Sequence, residues 1–371
     1  MDEPFDADRL ARFFVRFADT ECVQEPLYDA LCRIAAATPD VLERLRAAPA
    51  AQRRPNLLLA ALHDFVLAGA THPLAAYYPS VGGTRAPDAA LAATLLDFCA
   101  RHDAPLQAHI ATRTTQTNEV GRCAVLWPAL QAIAAQAGRT RLALLDLGCS
   151  AGLNLGVDAY AYDIGGAAFG DAASPVPRIA CRVDGAARPD LRAPVPAIVE
   201  RLGIDPAPID AGDADAVRWL RACLWPHDAP RRARLDAALR LARARRWPVR
   251  READCTEAAL RWVDALPGDV LPVVFNSWVL TYFTPDALER HKQAMHTLVQ
   301  HRGAAWLSAE EPRLRIGDEA APPLPHDADA QRRMASHWAL MLPGAGAPTA
   351  RVIARSHPHG KWLEWFGGDP R

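Results

Sequence analysis

Apolar residues in the first 115 positions recur at helical spacing. Leu10, Phe13, Phe14 and Phe17 fall at i, i+3, i+4 and i+7, one face of a helix. Thr38 before Pro39 reads as a cap followed by a first-turn proline. Pro55 opens an apolar stretch, 56–68, that ends at Gly69, and 87–102 reads as an alanine-rich helix. Between them, Tyr77-Tyr78-Pro79-Ser80-Val81-Gly82-Gly83 carries the proline and glycines of a loop.

From about residue 120 the pattern changes. Short continuous apolar runs alternate with helical stretches: 142–145 leads into Asp146, 270–275 into Asn276, and 304–307 into Ser308. Such runs, bounded by turn residues, suit strands buried on both faces of a parallel sheet. Two further β-rich runs, 338–342 and 350–355, flank a glycine- and proline-rich connection and predict a closing antiparallel hairpin. The segment 160–208, rich in proline and glycine, resists assignment. The expected architecture is α/β: a mostly parallel, Rossmann-type sheet over 119–371, preceded by an all-α cap domain over 1–118.

The turn after the first predicted strand reads Asp146-Leu147-Gly148-Cys149-Ser150-Ala151-Gly152-Leu153-Asn154. In an open parallel sheet, ligands bind beyond the carboxyl ends of the strands. A P-loop needs Lys-Ser/Thr after its last glycine, and here Leu153 and Asn154 follow. A dinucleotide turn prefers glycine at the position of Ser150. Asp146 would repel a diphosphate and attract an ammonium or sulfonium. S-adenosylmethionine carries both cations and no phosphate, so it is the expected cofactor; a strand-to-helix turn with no ligand is the plain alternative.

Other candidates follow from position along the strands. Asp205 ends a possible second strand and would bind ribose hydroxyls; it lies far beyond the usual spacing from the glycine loop and requires a large insertion. Asp184, after 179–183, is its rival. Asp254 either faces the adenine or caps the helix after it. Asn276 and Trp278, after the fourth strand, would flank the sulfonium, and Trp278 reads equally as core. Glu119 and Tyr282 are candidate catalytic groups, and Asn118, Arg122, Tyr160 and Tyr162 candidate substrate contacts. Each has a structural alternative: a cap for Asn118, a surface pair for Glu119 and Arg122, and packing for the tyrosines.

Composition narrows the partners. The 371 residues are enough for two domains, half of them are hydrophobic, and 23% are charged, so a packed core is expected. A net charge of −1 argues against a general attraction to nucleic acid or an anionic membrane. Nine arginines between Arg231 and Arg251 lie on a helix with an apolar face, read as a solvated surface with RNA phosphates as the alternative. The acidic start lacks the features of a secretory leader, and no apolar run is long enough for a membrane helix, so a cytoplasmic protein is expected. Eight cysteines without a Cys-x-x-Cys pair read as reduced core residues. His357-Pro358-His359 has no third ligand nearby, and no metal is expected.

Residues 144–154 resemble the first motif of class I S-adenosylmethionine-dependent methyltransferases, with Ser150 in place of a common glycine. Residues 273–285 and 303–310 are similar to the fourth- and fifth-strand regions of that class. More specifically, several runs resemble a bacterial family, domain-of-unknown-function family 2332. Among them are Arg53-Arg54-Pro55-Asn56-Leu57, His72-Pro73-Leu74-Ala75-Ala76-Tyr77-Tyr78-Pro79-Ser80 and Gln116-Thr117-Asn118-Glu119-Val120-Gly121-Arg122. His359-Gly360-Lys361-Trp362-Leu363-Glu364-Trp365 is another. The resemblance implies a methyltransferase-like fold and names no substrate. The expected activity is methyl transfer to a small molecule. Non-methyl use of the sulfonium, a non-catalytic protein with a relic pocket and an RNA-modifying enzyme are the rivals.

Overall fold

A computed structural model describes residues 4–116, 118–170, 175–317, 320–324, 328, 330–344 and 346–367. Thr117 of the 116–122 run, residues 1–3 of the acidic start and Ala345 of the hairpin connection lie outside these. The chain forms two compact units: 1–117 with 212–233, and 118–211 with 234–371. The sequence pattern gave no sign that 212–233 returns to the first unit.

In chain order the helices are α1 (Ala7–Thr20), α2 (Pro26–Ala36), α3 (Pro39–Glu43), α4 (Pro55–Leu67), α5 (Leu91–Arg101), α6 (Asp103–Thr112), α7 (Cys123–Gln136), α8 (Ala214–Ala222), α9 (Ala229–Arg245), α10 (Cys255–Asp264) and α11 (Pro285–Arg302). In the first unit, α1 starts where Asp6 accepts from the Arg9 N–H, and it buries Leu10 and Phe14 as the spacing predicts. Helix α4 is buried on nearly every side, which explains its unbroken apolar run. Its buried Asp64 accepts from Arg218 Nε at 3.1 Å, and the Trp219 indole donates to the Thr114 carbonyl. These bonds fix α8 in the first unit.

The second unit is built on one eleven-stranded, mostly parallel sheet. Its strands are β1 (Arg141–Leu147), β2 (Ala161–Ile164), β3 (Ala167–Phe169), β4 (Arg178–Asp184), β5 (Ala197–Asp205), β6 (Val249–Arg251), β7 (Leu271–Ser277), β8 (Ala305–Glu310), β9 (Ser336–Met341), β10 (Ala350–Ser356) and β11 (Trp362–Trp365). The order is β3-β2-β4-β11-β10-β9-β8-β7-β1-β5-β6. The run β6-β5-β1-β7-β8 is wholly parallel. The expected hairpin is present as β9 and β10, antiparallel to each other, with β9 also antiparallel to β8. The unassigned segment supplies β2, β3 and β4, an insertion between β1 and its neighbour β5.

Leu145 and Leu147 of β1 pack with Ala259 and Val263 of α10 and Met295 and Leu298 of α11. The alternation of the strand turns Asp146 to the opposite face. All eight cysteines are free, and six are buried. Among the described residues, no helix is long and apolar enough to cross a membrane, and no cluster of three metal-ligating side chains occurs.

Close packing beneath the loop after β1 gives a test. An added Cβ at Gly156 would lie 2.1–2.8 Å from three ring atoms of Trp247. Gly156→Ala is expected to cost about 1–3 kcal/mol through overpacking. Urea unfolding of the second unit's transition would read it as a lower midpoint.

Candidate functional site

The direction of the sheet reverses its chain order at β1, whose successors lie on both sides: β5 on one, β7 on the other. A crevice beyond the carboxyl ends of strands is expected at such a point. The turn 148–152 occupies it. Gly148, Ser150 and Gly152 have φ of 65°, 53° and 67°, so every second residue is left-handed. That conformation disfavours a side chain, and Ser150 is the one position that carries one.

Four of the turn's backbone donors are spent inside the protein. The N–H groups of Gly148 and Cys149 donate to the Ile204 carbonyl at 2.8 and 3.2 Å, and that of Gly152 to Cys149. The Ser150 N–H donates to Asp205 Oδ2 at 2.9 Å, while Asp205 Oδ1 accepts from Ala207 N at 2.7 Å. Asp146, Asn154 and Asn118 lie beside this turn. Asp146 is buried, and its Oδ2 accepts from Asn154 Nδ2 at 3.3 Å. Asn118 Nδ2 donates to the Cys149 carbonyl at 2.6 Å, and among the described residues no donor reaches the buried Asn118 Oδ1.

Asp205 ends β5, the parallel neighbour of β1. The rival Asp184 ends β4, which pairs with β2 and β11, and is held by Arg182 and Arg332. Asp254 accepts from the N–H groups of Thr256 and Glu257, the capping arrangement of α10. Asn276 is buried and fully engaged. Its Nδ2 donates to Ser308 Oγ at 2.9 Å and Glu310 Oε1 at 2.8 Å, and its Oδ1 accepts from Trp306 Nε1 at 2.8 Å. Trp278, with φ of 57°, turns the chain after β7 and donates from its indole to Ser336 Oγ at 2.7 Å.

The candidate catalytic groups are placed differently from their expected roles. Glu119 is buried and accepts from the Gly121 N–H at 2.8 Å, with Arg234 Nη2 at 3.8 Å. Tyr282 is exposed. Arg122 is buried rather than on the surface: Nε donates to the Pro358 carbonyl at 2.8 Å and Nη1 to Ser277 Oγ at 3.1 Å. It joins the 357–360 turn to the end of β7. Tyr160 and Tyr162 are buried, and their hydroxyls donate to the carbonyls of Leu153 and Val157; both pack. In the arginine-rich stretch, Arg231 is buried, Arg232 and Arg243 donate to backbone carbonyls, and Arg240, Arg245 and Arg246 are exposed.

The sequence reading did not single out Glu310. It ends β8, is buried, and accepts through Oε1 from Val279 N at 2.9 Å and Leu280 N at 3.2 Å as well as from Asn276. Oε2 has no donor. Burial pushes the carboxyl up to about 7, against the lowering by its donors and by Arg122. Asp146 is likewise pushed up to about 7, by burial and then by Asp205, against Asn154 and Arg122. The positive charge of Arg122 thus favours ionisation of both carboxyls. An acid directly closing an apolar strand run, the first of the pair Glu310-Glu311, was the available signal.

A family model described as "Uncharacterized protein conserved in bacteria (DUF2332)" matches residues 11–365. No curated protein matches the chain. Among solved structures, a chain described as "Conversion of a Disulfide Bond into a Thioacetal Group during Echinomycin Biosynthesis" is similar at 16% identity. The match covers 63% of this chain and 76% of that one, with a TM-score of 0.23. That score carries no argument.

The raised carboxyls set a pH dependence. Between the ordinary carboxylate value near 4 and about 7, the folded protein keeps protons that the unfolded chain has lost, so stability falls as pH rises through this window. Glu310→Gln keeps the acceptor for Val279 and Leu280 and removes the charge. It should raise Tm by about 5 °C at pH 8 and change it little at pH 5. Equal shifts at both pH values, in scanning calorimetry, would contradict the assignment.

Proposed function

The chain belongs to this bacterial family, and we propose that it binds S-adenosylmethionine at the turn after β1 and transfers a methyl group to a small molecule. The parallel order β6-β5-β1-β7-β8 is that of a doubly wound nucleotide-binding sheet, consistent with a class I methyltransferase core. One observation carries the choice of ligand. The N–H groups of Gly148, Cys149, Ser150 and Gly152 are already bonded within the protein, whereas Asp146 and the donorless Asn118 Oδ1 remain beside the turn. A diphosphate needs free donors; an ammonium or sulfonium needs acceptors and negative charge.

In this reading Asp146 and Asn118 Oδ1 face the cationic methionyl end. Asp205, held at the end of β5 by its bonds to Ser150 N and Ala207 N, has acceptor capacity left for ribose hydroxyls. The bound cofactor would supply a methyl group activated by its sulfonium. The residues of the chain would orient it and exclude water, because the ends of β1, β7 and β8 are buried. A binding protein without transfer is the second reading, favoured by the engagement of Glu119 and the exposure of Tyr282, which leave neither placed as a base.

Calorimetric titration tests the proposal. S-adenosylmethionine should bind and NAD should not, and Asp146→Ala should weaken binding at least about tenfold, or about 1.4 kcal/mol. Affinity should rise from pH 6 to pH 8 as Asp146 ionises around 7. NAD binding in place of S-adenosylmethionine would overturn the cofactor. Binding without any methylated product from a small-molecule extract would favour the second reading.

A further inference from the structure

We propose that Ser80, in the helical unit, is a nucleophile that His63 activates toward the acyl group of a small ester. Ser80 sits in the 3₁₀ turn Pro79–Val81, partly exposed, just before the left-handed Gly82. His63, buried in α4, places Nε2 at 2.7 Å from Ser80 Oγ. The other ring nitrogen, Nδ1, lies 3.1 Å from the Ala222 carbonyl and, more distantly, 3.5 Å from the Tyr28 hydroxyl. A carbonyl only accepts, so Nδ1 carries the proton and Nε2 presents its lone pair to the serine hydroxyl. The ring is held by stacking on Tyr78, with centroids 5.2 Å apart and planes 26° apart.

This is a nucleophile within reach of a base that a third group orients, with a main-chain carbonyl in the orienting place. Burial pushes His63 down to about 4, so the imidazole is neutral throughout the physiological range, and its basicity is lower than that of a free imidazole. Arg232 Nη1 donates to the Ser80 carbonyl at 2.6 Å and brings a positive charge beside the hydroxyl. Exposed Val81 adds apolar surface for a short acyl chain. In the reaction, Oγ forms a bond to the acyl carbon and the bond from that carbon to the alkoxide breaks. The serine proton passes to Nε2 and then to the leaving alcohol, and water later returns Ser80 by the reverse proton route. All these groups lie in the unit formed by 1–117 and 212–233, so the inference stands or falls apart from the glycine turn.

The test is acylation of the full chain by p-nitrophenyl acetate, with the modified peptide located by mass spectrometry. An acetyl group on Ser80 is expected, with Ser80→Ala losing the adduct and His63→Gln slowing its formation about a hundredfold. The pH profile of the wild type keeps the test decisive if His63→Gln fails to fold. A neutral imidazole base gives a rate nearly flat from pH 6 to 8, whereas an unassisted hydroxyl reacts through its alkoxide and gains about tenfold per unit. No adduct on Ser80, a tenfold rise per unit, or equal labelling in a folded His63→Gln variant would overturn the proposal.

Discussion

The Asp205 carboxylate is the constraint on which the second unit's site depends. It closes β5 and, through one oxygen, holds Ser150 N, fixing the middle of a turn whose backbone is left-handed at every second position. With Ile204 taking the N–H groups of Gly148 and Cys149, the end of β5 takes three donors of the neighbouring turn. The turn is therefore shaped by its parallel partner strand before any ligand is considered. A buried N–H left open would cost free energy, so this arrangement is what allows the turn to be both tight and buried.

A second layer covers that turn from the β7 side. Glu310 accepts from Val279 N and Leu280 N, and Val279 lies so close over Gly148 that a Cβ added there would meet its methyl group at 2.4 Å. Glycine at 148 is thus required twice, by its positive φ and by the approach of Val279. Left-handed Trp278 brings the chain from β7 into this position. Local strain at Trp278 and Ser150 is tolerated because the surrounding bonds over-determine both residues.

Much of the fold was legible because burial on both faces leaves an unmistakable trace. The runs at 142–145, 270–275 and 304–307 lie in β1, β7 and β8, and the helical spacing of Leu10 and Phe14 marks α1. The spacing to Asp205 announced an insertion, but its strands were not legible. In β4 exposed and buried residues alternate, and the strand sits among prolines and glycines. Its pairing with β2 and β11 is set by residues distant in sequence. Of the candidate site residues, Asp146, Ser150, Asn118 and Asp205 are brought together at the turn, because strand ends fix them. Glu119, Arg122 and Asn276 are near strand ends too, yet their polar atoms are taken by backbone and side-chain partners that spacing cannot reveal. Tyr160 and Tyr162 pack because their hydroxyls find carbonyls within seven residues.

The electrostatics of the site follow from burial more than from charge count. Asp146 and Glu310 lie on different strands, and Arg122 lowers the pKa of each without outweighing the cost of taking a carboxylate out of water. With both acids near neutrality in their titration, the site holds a charge that its surroundings can change. A cation brought to the turn would stabilise the ionised form of Asp146 and lower its pKa, and by linkage the ionised acid would hold the cation more tightly. A fixed, solvent-exposed carboxylate would lack this coupling, since water would screen both the ligand and the acid. Burial at the strand end thus makes Asp146 a group whose charge would respond to a cation placed beside it.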